Sequence, residues 1–87
     1  PFRTVEESYS LEYGTNTIVM HEDAVARGEK VLVIDDLIAT GGTLAATVSL
    51  VRRLGGEVAE VCTIVELTAL AGRKLLGDTP FYSMLQY

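Results

Sequence analysis

The chain has 87 residues, 48% of them hydrophobic and 7% aromatic, and a formal charge of −5. That balance suits one domain with a small core, leaves no room for a second, and is unlike a disordered tail. Twelve acidic residues against seven basic ones, with no cluster of Lys and Arg, argue against a nucleic-acid partner, whose phosphates demand such a cluster.

Taken in chain order, Tyr9 and Leu11 alternate with Ser8, Ser10 and Glu12, and Gly14 to Asn16 intervene before Thr17 to Met20. This predicts two short strands joined by a turn, a hairpin over residues 8–20. Glu22 to Arg27 predicts one helical turn ended by Gly28. Val31, Leu32, Val33 and Ile34 are consecutive apolar residues and predict a strand covered on both faces, as in the middle of a parallel sheet. Thr40, Gly41, Gly42 and Thr43 break that run. Leu44, Val48, Val51 and Leu54 then recur at helical spacing, with Ser49, Arg52 and Arg53 on the outer side and Gly55-Gly56 closing the helix. Val58 to Val65 predicts another strand, Ala69 to Leu76 a short helix, and Phe81 to Leu85 a last strand. The order ββ, then βαβαβ, makes residues 1–87 a single α/β domain.

No apolar run reaches the ~20 residues needed to cross a bilayer, and the start lacks a basic-then-apolar leader. A cytoplasmic protein without a membrane partner is expected. Cys62, the single cysteine, cannot form an internal disulfide and is expected to pack within its apolar run. His21, beside Glu22 and Asp23, reads as a surface residue, and Arg52, Arg53, Arg73 and Lys74 as charges that keep helix faces soluble.

In a strand–helix–strand crossover the ligand crevice lies beyond the carboxyl ends of the strands. Asp35 to Thr43 fall there. Gly41 and Gly42 lack Cβ atoms, so an anion can approach the backbone, and the first amides of the following helix have no internal acceptors. The helix dipole favours negative charge at that end, and the hydroxyls of Thr40 and Thr43 add donors. Asp35 and Asp36 can accept hydrogen bonds from two vicinal hydroxyls, directly or through Mg²⁺ and its waters. Only three residues separate Asp36 from Thr40, so one sugar phosphate can satisfy both halves of the segment. The triphosphate-loop pattern G-x-x-x-x-G-K-[ST] and the dinucleotide pattern G-x-G-x-x-G are both absent from the sequence.

The segment VLVIDDLIATGGT, residues 31–43, resembles the ribose-phosphate motif of type I phosphoribosyltransferases. SYSLEYG at Ser8 to Gly14, VELT at Val65 to Thr68 and FYSMLQY at Phe81 to Tyr87 resemble the adenine-using branch of that family. The resemblance covers essentially the whole chain but corresponds to the later half of a typical member, which implies a partial domain inactive by itself. It implies an α/β parallel sheet with flanking helices and a β-hairpin catalytic loop. It also implies transfer of ribose 5-phosphate from 5-phosphoribosyl 1-diphosphate to adenine, giving AMP and pyrophosphate in purine salvage, with Mg²⁺ as cofactor and a homodimer as the assembly. Ala39, Thr40, Gly41, Gly42 and Thr43 would bind the 5-phosphate, and Asp35 and Asp36 the ribose hydroxyls. Glu12 matches a catalytic glutamate on the mobile loop, and Tyr13 matches its neighbour in loop closure. The main alternative is a non-catalytic module of the same kind that senses the sugar diphosphate or a purine nucleotide.

Overall fold

A computed structural model describes residues 3–11 and 13–87. Strands β1 (Thr4–Leu11) and β2 (Gly14–His21) form an antiparallel hairpin with register from Thr4 opposite His21 to Leu11 opposite Gly14. Strands β3 (Lys30–Ile38), β4 (Glu57–Glu66) and β5 (Phe81–Gln86) form a separate parallel sheet in the order β3-β4-β5. Helix α1 (Gly42–Arg53) connects β3 to β4, and two short 3₁₀ turns, Thr68–Leu70 and Gly72–Leu76, connect β4 to β5. The α/β class and the parallel sheet agree with the sequence reading, but β3 is an edge strand of the three described rather than a middle one, and the paired strands of the hairpin run from Thr4 to His21 rather than over residues 8–20. No helix among the described residues is long and apolar enough to cross a membrane.

The core lies between α1 and one face of the sheet. Leu44, Val48 and Val51 come to one side of the helix because three and four residues make about one turn, and they meet Val33, Ile38, Val58 and Val61. Ile38, Leu50, Val51 and Val61 are essentially inaccessible to solvent. Each such side chain contributes about 1.5–3 kcal/mol of transfer free energy relative to an exposed position.

Four local expectations give way. Gly14 to Asn16 are not the turn; they pair with Leu11, Ser10 and Tyr9, so strand pairing overrides the turn preference of Gly and Asn. Glu22 to Arg27 form turns, closed by bonds such as Ala24 N to His21 O, rather than a helical turn. Residues 69–76 form the tighter 3₁₀ geometry instead of an α-helix. The sheet is covered on one face alone among the described residues: Leu32, Ile34, Ile64, Tyr82 and Met84 on the other face are 50–69% exposed.

The hairpin docks on the side of α1 that the sequence left to solvent. Ser49 Oγ donates to Glu7 Oε1 at 2.8 Å, and Arg53 Nη1 donates to the Glu6 carbonyl at 2.7 Å. Arg52 reaches Thr79 Oγ1 at 2.9 Å, tying the helix to the segment before β5.

Candidate ligand site

The carboxyl end of β3 delivers Asp35 and Asp36, and residues 39–41 turn the chain into α1. Gly41 caps the helix with φ 88°, in the left-handed region where a side chain is strained. The helix start has no side-chain cap and no acidic residue in its first turn. The amides of residues 40–44 donate to no backbone acceptor among the described residues, while Ala45 N closes the first helical bond to Gly41 O at 2.9 Å. The same segment walls a cavity of about 120 Å³, lined by Asp35, Leu37, Ile38 and all of residues 39–44. A bulk water occupies ~30 Å³, so the space holds a small polyatomic group.

Asp35 therefore shares a cavity with the glycine turn. One of its oxygens, Oδ1, accepts the Asp36 amide at 2.8 Å. Asp36 is exposed and outside that cavity's wall, as alternation along a strand requires of the next residue. Tyr13 is 90% exposed at the hairpin tip. Glu12, the expected catalytic residue, lies outside the described residues.

The space beside each glycine is taken by protein. A Cβ on Gly41 would overlap the Gly72 carbonyl oxygen, and one on Gly42 would come to 2.8 Å from Tyr9 Cδ2. Tyr9 had no assigned role in the sequence, yet its ring lies against Gly42 and its Oη accepts hydrogen bonds from Thr43 Oγ1 at 2.7 Å and Asn16 Nδ2 at 3.3 Å. In this conformation the Thr43 hydroxyl proton points to the hairpin.

A second polar group stands at the neighbouring strand ends. Arg73 Nε and Nη2 grip Glu66 Oε2 and Oε1 at 2.7 and 2.6 Å. Ser83 Oγ donates to the same Glu66 Oε1 at 2.8 Å, and Gln86 Nε2 donates to Ser83 Oγ. Arg73 also lies over the Phe81 ring, 4.9 Å from its centroid. The Arg73 fork outweighs burial and holds the Glu66 carboxyl below the usual carboxylate range, with Ser83 adding to it. The sequence offered no local sign of this pair: Arg73 read as a charge that keeps a helix face soluble, and Glu66 entered only as part of the VELT segment.

A larger cleft of about 380 Å³ runs between α1 and Leu75–Leu76, but its polar lining is engaged: Ser49 by Glu7, Arg53 by Glu6 and Glu7, and Arg52 by Thr79.

The strand end, glycine turn and helix start around the 120 Å³ cavity all lie within a single matched domain. Residues 3–85 match the phosphoribosyl transferase domain, and the chain belongs to that family. Among its relatives, adenine phosphoribosyltransferase of Roseiflexus sp. is 52% identical over all 87 residues, which cover 51% of that protein. The crystal structure of adenine phosphoribosyltransferase from Thermoanaerobacter pseudethanolicus superposes with a TM-score of 0.96 at 44% identity, over 100% of this chain and 51% of that one. Adenine phosphoribosyl transferase from Trypanosoma brucei, in complex with AMP, pyrophosphate and ribose-5-phosphate, superposes with a TM-score of 0.83 at 29% identity, over 97% of this chain and 40% of that one. The chain spans about half the length of the curated relatives it matches.

Proposed function

We propose that the protein containing this chain is an adenine phosphoribosyltransferase, which moves ribose 5-phosphate from 5-phosphoribosyl 1-diphosphate to adenine in purine salvage. The observation that carries this reading is that the amides of residues 40–44 have no backbone acceptor among the described residues, in a turn that walls one cavity together with Asp35. On this reading Ala39 to Thr43 hold the 5-phosphate, while Asp35 and Asp36 accept hydrogen bonds from the ribose hydroxyls. The bond from the anomeric carbon to the diphosphate oxygen breaks with its electron pair on the diphosphate, adenine N9 forms the new bond, and the proton that N9 carried passes to water or the departing diphosphate. Positive charge grows on the sugar meanwhile, and the two aspartates place negative charge beside it. Glu12 helps place a proton on the adenine ring as N9 becomes nucleophilic.

The residues suit Mg²⁺ held largely by substrate and water. The described residues contain no group of three or more His, Cys, Asp or Glu able to form a cage, whereas Mg²⁺ commonly uses one or two carboxylates with substrate oxygens. Asp35 and Asp36 supply hard oxygen donors, and bound Mg²⁺ would offset the charge of the leaving diphosphate. The hairpin over residues 8–20 acts as a mobile cover that brings Glu12 and Tyr13 to the substrates and excludes water. The reading includes a homodimer, supported by the family resemblance, and a cytoplasmic setting.

The test is an assay of the full-length gene product carrying this chain with labelled adenine, the sugar diphosphate and Mg²⁺. AMP formation is expected. Ligand binding without turnover would replace the enzyme by a sensing module.

A further inference from the structure

The geometry points to Gly72 as a positioning residue: its backbone sets the shape of the phosphate-binding turn, and the Arg73–Glu66 fork holds it there. The inference rests on the reading of residues 39–43 as a phosphate site.

Because the amides of residues 40–44 meet no backbone acceptor among the described residues, hydrogen bonding within the turn does not fix where they point. Support must come from outside, and Gly72 supplies it. A Cβ on Gly72 would overlap the Ala39 carbonyl oxygen and come to 3.0 Å from both Gly41 N and Ile38 Cγ1. The contact is reciprocal, since a Cβ on Gly41 would strike the Gly72 carbonyl. Gly41 needs to be glycine for its left-handed φ as well, but Gly72 does not have a positive φ. Another residue could adopt its backbone angles, so what excludes a side chain at position 72 is the neighbouring turn.

The segment bearing Gly72 is itself fixed to the sheet. Leu67 N donates to Ile38 O at 3.0 Å, Thr68 N to Tyr87 O at 2.8 Å, and Ala71 N to Thr68 O at 3.0 Å. Ala71 takes the left-handed φ of 53°, uncommon for a residue with a side chain, which turns the chain so that Gly72 meets the loop. Arg73, the next residue, is then gripped by the buried Glu66 carboxylate, itself held by Ser83. A continuous set of contacts thus runs from β4 and β5 to the turn that closes on the sugar's phosphate.

The experiment is steady-state kinetics of the full-length gene product with Gly72→Ala and, separately, Arg73→Gln, which breaks the fork without adding an atom near the turn. For Gly72→Ala the KM for the sugar diphosphate is expected to rise about tenfold or more, because small displacements of binding groups are costly, while the KM for adenine stays within about twofold. Arg73→Gln should move the same constant in the same direction by about threefold. A purely structural defect would lower kcat with the folded fraction and leave the KM of the surviving molecules alone. That pattern, or an equal rise in both KM values, overturns the inference, and Arg73→Gln decides it if Gly72→Ala does not fold. A wild-type protein without transfer activity defeats the proposed function first, and this inference with it; active wild type with unchanged variants defeats the inference alone.

Discussion

Thr43 Oγ1 donates a 2.7 Å hydrogen bond to Tyr9 Oη, joining the first turn of the helix to the middle of the hairpin across 34 positions of sequence. The same tyrosine lies against Gly42. A hydroxyl proton given to Tyr9 is not available to an anion in the glycine turn, so hairpin docking and phosphate binding draw on one donor. Tyr9→Phe keeps the ring and releases the proton. The expected result is tighter binding of AMP by roughly two- to tenfold, the worth of one net hydrogen bond, measured by titration calorimetry. Weaker binding would show that the Tyr9 hydroxyl itself serves the ligand.

Asp35 walls the cavity and keeps one carboxylate oxygen clear of the Asp36 amide. Asp35→Asn preserves the size of the side chain and removes its charge, so kcat/KM is expected to fall by about a hundredfold or more with the circular dichroism unchanged. Asp36→Asn should act in the same direction. Unchanged kinetics in both variants would remove the pair from the site.

Glu12→Gln is expected to lower turnover by about tenfold to a hundredfold with a modest change in AMP affinity, because the group serves proton placement more than binding. A wild-type rate would remove Glu12 from the catalytic machinery.

Glu66 carries a pH dependence whose sign follows from its lowered pKa. The unfolded chain binds this proton more readily than the folded one, so the contribution is complete above the ordinary glutamate value, about 4.3, and is lost as pH falls through the lower folded value. Acid unfolding followed by circular dichroism should show a shallower loss of stability below that point in Glu66→Gln than in the parent. The variant should also melt lower at neutral pH by roughly 5 °C or more, since Arg73 and Ser83 lose a charged acceptor.

Cys62 is half-buried, with Glu60 Oε1 3.5 Å from its Sγ. Burial chiefly, with Glu60, pushes the thiol up from its ordinary value. Alkylation by iodoacetamide at neutral pH should run about tenfold or more slower than for a free thiol, because the thiolate is the reacting form. Mass spectrometry over time gives the rate.

The segment from β3 to α1 was legible because its signals are local. An apolar run, two acids, a glycine turn and helical spacing sit next to one another from Val31 to Leu54, and the structure builds β3, the turn and α1 from them. What could not be read depends on partners far along the chain. Ser49 and Arg53 look solvated within their own helix, yet their partners Glu7 and Glu6 lie 42 and 47 residues away. Gly72 carries no mark of its own, since its lack of a side chain matters only against Ala39 and Gly41. Gly14 and Asn16 look like a turn because their intrinsic preferences are known before their strand partners are.

The bare side of the three-stranded sheet has a thermodynamic signature. Leu32, Ile34, Ile64, Tyr82 and Met84 are already wetted in the native 87-residue chain, so melting it hydrates less new hydrocarbon than melting a domain with both faces covered. Calorimetry on this chain should find a heat-capacity increment below the ~12–15 cal/mol/K per residue usual for globular domains, and urea titration a correspondingly shallow slope. Its stability should consequently vary less with temperature than the melting point alone would suggest.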